Sequence, residues 1–289
     1  DRDAAITNLL ENDEERPESI EVNIIYLFSN FVLNSLTPHI MLPIMAFNCK
    51  VTDLVKNYNL SPLKRAYDGG RIYNLANVLI SEWATGGNLK SFIKRNQAKW
   101  YSNPGLIYNV MFFQLIYTMS VIHKKYPGYR HNDMKVDNVL VTENIPSPDG
   151  TIRTGNFLYK FNNNYYLVPN IGFQIKLWDF DYSSIDNSKN DSQFDLHGHK
   201  VDGMEEYGIR YERNQYYDIH CFFNYLRMYV LNDRYTTAAT SKFLNYVIPR
   251  NYQGYEKYSP VRLYWGRVVD QVEYLTSNQI LEEQSKPGN

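Results

Sequence analysis

One stretch constrains the fold more than any other: His131-Asn132-Asp133-Met134-Lys135-Val136-Asp137-Asn138 runs straight into the apolar Val139-Leu140-Val141. A second polar cluster, Trp178-Asp179-Phe180-Asp181, follows Phe173-Gln-Ile-Lys-Leu177, which alternates as a half-buried strand does. Each cluster therefore sits at the end of a strand. Between them, a Pro-Ser-Pro-Asp-Gly turn at 146–150 and a Tyr- and Asn-rich section read as an extended hairpin, about 142–172.

Helical periodicity flanks this middle. Pro17 suits a first helical turn, Glu18 and Glu21 favour its positive end, and Ile20, Ile24, Leu27 and Phe31 recur on one face, which predicts a helix over 17–36. Short apolar runs at 40–47 and 77–83 read as strands separated by a polar loop with an Asp68-Gly69-Gly70 turn. Segments 88–97 and 104–125 read as helices, the second with Leu106, Val110, Phe113, Ile116, Tyr117 and Val121 as one apolar stripe. Residues 183–216 lack periodicity and predict a long surface loop, after which helix resumes at 217–231 and continues, broken by Pro249 and Pro260, to about 283. The fold class is α+β.

Thirty Lys and Arg against thirty-one Asp and Glu argue against nucleic acid as the main partner. Val22–Cys49 and Trp100–His123 carry no charged Asp, Glu, Lys or Arg, but prolines and amides interrupt both, so no membrane span is expected. Cys49 and Cys221, 172 residues apart, are read as buried thiols in a reducing compartment, and His39 as a packing or capping residue. His197 and His199 lack nearby cysteines, which argues against a zinc site.

Phosphoryl transfer from ATP needs a carboxylate to orient the attacking hydroxyl, oxygen ligands for Mg²⁺ and a cation against the transferred charge. Asp133, Asn138, Asp179 and Lys135 are residues of those types. Asp and Asn are also ordinary loop formers, so one such spacing alone says little. Several matches in register say more.

These strings resemble a protein kinase. Asp133 to Asn138 and then Asp179-Phe180 follow the order of the kinase catalytic loop and Mg²⁺-binding segment, which implies Asp133 as base, Asn138 and Asp179 as metal ligands and Lys135 against the γ-phosphate. Val78-Leu-Ile-Ser-Glu-Trp-Ala-Thr-Gly-Gly-Asn-Leu89 resembles the kinase strand and hinge, implying Ser81 as gatekeeper, backbone groups of Glu82 and Ala84 for adenine, and Asn88 in the nucleotide site. Tyr217-Asp218-Ile219 resembles the opening of the helix whose buried aspartate holds the catalytic loop. The nearest resemblance is to the serine/threonine protein kinases of large nucleocytoplasmic DNA viruses, of poxvirus, asfarvirus and mimivirus type. It is carried by Ser35-Leu-Thr-Pro-His-Ile40, Phe113-Gln-Leu-Ile-Tyr117, His123-Lys-Lys-Tyr-Pro-Gly-Tyr-Arg-His-Asn-Asp133, Trp178-Asp-Phe-Asp-Tyr-Ser183 and Leu275-Thr-Ser-Asn-Gln-Ile-Leu281.

The resemblance implies a bilobal fold: a small β-rich lobe over 1–81, a hinge at 82–87, and a mainly helical lobe over 88–289. It implies ATP and Mg²⁺ as cofactors, a protein Ser/Thr substrate, and a place in host cytoplasm or virion. Two rivals stay open, a catalytically silent kinase-like binding module and a small-molecule kinase of aminoglycoside-phosphotransferase type. Departures are equally plain. Asn132 stands where many kinases carry an arginine that clamps a phosphorylated loop, with Arg130 nearby and read as solvated. Asp181 replaces a glycine, which predicts a stiff segment if positive φ is needed there. No G-x-G-x-x-G occurs and no lysine precedes Lys50, so if Glu21 is the helix glutamate that pairs with a nucleotide lysine, that lysine is expected upstream of residue 1 and the small lobe is truncated. Glu21 as a solvated helix charge is the alternative.

Overall fold

A computed structural model describes residues 17–58, 60–100, 102–144, 155–185, 214–231, 236–248, 253, 263–264, 267–268 and 276–284. In chain order these form α1 (Pro17–Leu33), β1 (Pro43–Cys49), α2 (Val51–Asn57), α3 (Ser61–Asp68), β2 (Ala76–Ser81), β3 (Gly87–Asn88), α4 (Leu89–Asn96) and α5 (Pro104–Lys125). Then come β4 (Tyr129–Arg130), β5 (Val139–Glu143), β6 (Asn156–Phe161), β7 (Asn164–Pro169), β8 (Phe173–Leu177), β9 (Ser184–Ile185), α6 (Tyr217–Tyr229), α7 (Ala238–Val247), β10 (Leu263–Tyr264), β11 (Arg267–Val268) and α8 (Ser277–Gln284). Helix and strand are mixed, as α+β requires.

The ladder that matters for the site is β3-β5-β8, antiparallel throughout. Val139 faces Leu177 in register, so the residues before β5 and those after β8 emerge side by side. Val139, Val141, Ile175 and Leu177 are fully buried and anchor the ladder to the core. The Ile40–Leu177 bridge, with His39 and Met41 exchanging backbone bonds with Leu177, adds the linker after α1 to the same ladder.

α5 is capped by Asn103, whose side chain accepts the Leu106 N–H, and starts with Pro104. The expected single stripe is wrong: almost every residue from Tyr108 to His123 is buried, while Leu106 is 37% exposed. The helix is long and apolar enough to cross a membrane, yet 67% of its most apolar window lies inside the protein. It is a core helix, covered by the β6–β7 hairpin on one side and by α7 and α8 on others. Tyr159 and Phe113 ring centroids lie 5.1 Å apart, and those of Phe112 and Phe243 5.4 Å.

The hairpin lies within the expected 142–172, while its 146–150 turn lies outside the described residues. β6 and β7 pair from Asn156↔Pro169 to Phe161↔Asn164. His39 fastens it: Nδ1–H donates to the Ile175 carbonyl at 2.9 Å, so Nε2 accepts from the Tyr159 hydroxyl, also at 2.9 Å. Burial lowers the His39 pKa to about 3, and the ring is neutral.

Other expectations need correction. α1 stops at Leu33 rather than 36, because Ser35 takes φ 58° and the Leu36 and Thr37 amides turn back to the Phe31 carbonyl. The polar loop between β1 and β2 contains α2 and α3; Pro62 in a first turn and the i,i+4 pair Lys64–Asp68 favour helix there. The last third is not continuous helix, since β10 and β11 pair antiparallel between α7 and α8. Ser184 and Ile185, expected in the loop, form β9; residues 186–213, with His197 and His199, lie outside the described set. Cys221 is buried, but Cys49 at the end of β1 is partly exposed.

Candidate active site

The loop 131–138 is held from below by α6. Asp218 is buried and accepts the His131 N–H at 2.7 Å and the Asn132 N–H at 3.0 Å. Burial raises its pKa, opposed by the nearby His131 and Arg130 charges and these two amide bonds. With its backbone clamped, the loop places Asp133, 6% exposed, against Lys135 and Asn138. Asp133 Oδ2 accepts from Lys135 Nζ at 2.5 Å and Asn138 Nδ2 at 2.8 Å, and Nδ2 also donates to the Asp133 carbonyl at 3.1 Å. Because the Asn138 amide nitrogen is spent on Asp133, its oxygen is the atom left to act as a ligand.

The second cluster arrives across the ladder. Trp178 N–H donates to the Asn138 carbonyl at 3.3 Å, and His131 Nε2–H to the Trp178 carbonyl at 3.0 Å. Asp179 follows with φ 67°, a left-handed conformation that Asp tolerates better than most side chains. Asp181 is absent from the left-handed residues, so the expected cost of replacing glycine there does not arise; the unusual backbone belongs to Asp179. Phe180 is fully buried between His131, at 5.4 Å between ring centroids, and Phe28 of α1, at 5.7 Å. This stack sets α1 against the loop 131–138.

Glu21 on α1 comes to the same place. Burial, and then the charges of Asp179, Glu21 and Asp133, raise the Asp181 carboxyl to about 7, and its buried Oδ1 has no hydrogen-bond partner among the described residues. Those residues contain no group of three or more His, Cys, Asp or Glu arranged to hold a metal by themselves. Asn138 and Asp179 suit a hard cation of the Mg²⁺ kind, which takes one or two protein oxygens and completes its shell with phosphate and water.

Segment 82–88 leads from β2 into β3 of the same ladder. Ser81 Oγ donates to the Glu82 carbonyl at 3.2 Å. The Glu82 N–H is committed to the Leu42 carbonyl and the Ala84 carbonyl to Gly87 N–H, while the Glu82 carbonyl, holding one bond from Ser81, keeps a second lone pair and the Ala84 N–H has no backbone partner among the described residues. Gly86 has no room for a side chain, since an added Cβ would lie 2.9 Å from Val141, and Gly87 takes φ 70°. Asn88 caps α4, its oxygen accepting the Ser91 N–H at 2.8 Å, so its first role is structural.

Sequence reasoning missed three residues. Lys176, inside an alternating strand, is buried and bonded to Glu82 at 2.6 Å. Asn132, read as the loss of a clamp, makes its own: with φ 63°, it donates from Nδ2 to the Tyr182 carbonyl at 2.9 Å and Ser184 Oγ at 3.3 Å. Arg130, expected to be solvated, is 1% exposed and stacks 4.3 Å over Tyr217. The local signal for Asn132 was its residue type, because Asn favours left-handed turns; for Lys176 and Arg130 no local signal exists.

This chain matches the family described as poxvirus serine/threonine protein kinase over residues 49–259. The chain belongs to that family. The match takes in the loop 131–138, the ladder and Asp179. A protein of Acanthamoeba polyphaga mimivirus named "Putative serine/threonine-protein kinase R400" is 30% identical over 283 residues, an alignment that covers 92% of this chain. The chain spans 58% of that relative's length.

Proposed function

We propose that this member of the family transfers the γ-phosphoryl group of ATP to Ser or Thr hydroxyls of a protein, with Mg²⁺ as cofactor. The observation that carries the reading is the convergence of Asp133, Lys135 and Asn138 on one clamped loop with Asp179, delivered across the Val139–Leu177 register. In this reading Asp133 orients the acceptor hydroxyl and takes its proton, and Lys135 offsets charge on the transferred phosphoryl group. Bound Mg²⁺ would neutralise phosphate charge, held by Asn138 and Asp179. The Glu82 carbonyl and Ala84 N–H would take the adenine edge, with Ser81 behind it.

The reading divides the chain into a small lobe to about 81, a hinge at 82–87 and a larger lobe from 88 onward, with the β6–β7 hairpin inserted between the metal ligands. Ile44, Met45, Phe47 and Ile80 are exposed on the β1–β2 pair of the small lobe. The reading also puts the enzyme in host cytoplasm or virion.

The test is transfer of label from γ-labelled ATP to a generic basic protein and to aminoglycosides. Phosphoserine or phosphothreonine formation that needs Mg²⁺ supports the reading. Label only on the small molecule favours the aminoglycoside type, and none with intact nucleotide binding favours the silent module.

A further inference from the structure

The ion pair between Lys176 and Glu82 lies where two parts of the site meet. Lys176 sits opposite Leu140 on the β5–β8 ladder, three residues before Asp179. Its side chain is only 9% exposed, and Nζ lies 2.6 Å from Glu82 Oε1. The same oxygen accepts the Leu42 N–H at 2.9 Å, while the Glu82 N–H returns to the Leu42 carbonyl at 2.9 Å. Glu82 therefore joins three pieces: its own segment, the linker after α1, and β8.

The pair is only part-buried, Lys176 at 9% and Glu82 at 29% exposed, and such a pair is a poor source of net stability, because desolvation and solvent screening offset much of its attraction. What this one supplies is a fixed position. At the far end of the same segment, Gly86 N–H donates to the Val141 carbonyl at 2.8 Å and Asn88 faces Leu140, so that end is already tied to β5. Only Trp83, Ala84 and Thr85 lie between the two ties. Asn138 immediately precedes β5 and Asp179 follows β8, at the end of the ladder nearest Leu140 and Lys176.

We propose that Lys176 and Glu82 are positioning residues that hold the purine-binding segment at a set distance from the metal ligands Asn138 and Asp179. The inference rests on the nucleotide reading of 82–88. A nucleotide has fixed length, so a site that grips both its base and its phosphates must hold the two grips at a matched separation, and a loose hinge would weaken binding before it altered the chemistry.

The test uses Lys176→Met, Glu82→Gln, the double variant and Lys176→Arg. Glu82→Gln keeps an acceptor for Leu42 and removes only the charge. Each single change should weaken MgADP binding, measured by calorimetry, by about tenfold, and the double should lose no more than either single, since both break one pair. In the active enzyme KM for ATP should rise about tenfold with kcat held within about threefold, and Lys176→Arg should restore most of the loss. Without nucleotide, hydrogen exchange at Leu42 and residues 82–86 should quicken by about tenfold or more in both singles. Unchanged exchange, affinities within about twofold of the parent, or additive losses would overturn the assignment. If Lys176→Met fails to fold, the near-isosteric Glu82→Gln carries the test. The exchange arm needs no nucleotide, so a parent that binds no MgADP sinks the nucleotide reading while exchange still decides the pair.

Discussion

Asp133 shares one carboxylate oxygen between Lys135 and Asn138, which fixes its rotamer before any substrate arrives. On the proposed reading, Asp133→Asn should lower kcat by two or more orders of magnitude and leave nucleotide affinity nearly intact, because it would remove a base and no nucleotide ligand. Steady-state rates beside calorimetric affinities check this; equal turnover in the two proteins would end the assignment. Asp179 and Asn138 make the complementary case. Asp179→Ala should abolish the Mg²⁺ dependence of ATP binding, and Asn138→Ala should weaken it, since both remove oxygen ligands for a hard cation. Calorimetry with and without Mg²⁺ distinguishes them, and a parent without metal effect would count against the metal site. Asp133, Lys135 and Asn138 were legible as a group because they lie within six residues of one another, whereas Asp179 reaches them only through the β5–β8 register. The partner of Lys176 was not legible, since Glu82 lies 94 residues away along the chain.

At the scale of elements, the β4–β9 pair shows how the segment after Asp179 is held. Tyr129 pairs with Ile185 and Arg130 with Ser184, and Asn132 adds bonds to Tyr182 and Ser184. This start of the segment is fastened by backbone and amide groups, and Asn132 cannot make the bidentate phosphate contacts of an arginine. Arg130 is stacked over Tyr217 and buried. Phosphatase treatment should therefore leave kinase activity within a few fold. A large loss would mean that a cation elsewhere receives a phosphate. β5 and β8 of the ladder, α1, α4, α5 and the start of α6 were readable from period, whereas the two-residue β3 was not. α2 and α3 were not, because their polar sequence resembles loop and a few local pairs tipped it to helix.

Across the whole molecule, burial sets how stability responds to acid. His39 and His220 are fully buried and both are lowered to about 3 by desolvation. Each stays neutral in the fold, while the unfolded chain takes up a proton below about 6.5, so this stability is present above 6.5 and lost as pH falls toward 3. Asp181 works the other way: raised to about 7, it holds its proton longer when folded, and its contribution is lost as pH rises from about 4 through 7. Denaturant unfolding of the parent and His39→Gln between pH 7.5 and 5 should show the gap between them shrinking by about 1.4 kcal/mol per pH unit below 6.5. A constant gap would mean that His39 is not held neutral. In the same series Asp181→Asn should gain on the parent as pH rises.

The sequence by itself determined the elements and the chemistry within them. Apolar period selected strands 139–143 and 173–177, Asn103 and Pro104 started α5, and the spacing from Asp133 to Asn138 set a loop that could hold both side chains on one carboxylate. Such choices depend on residues a few positions apart, whose interactions are formed by local backbone geometry. Only the tertiary structure decided which residues share a cavity and what burial does to them. It put positive φ on Asp179 rather than Asp181, sealed Arg130 over Tyr217, spent Lys176 on Glu82 and brought Glu21 of α1 to Asp181. Those outcomes turn on desolvation and charge between segments far apart in the chain, and no local pattern carries that information.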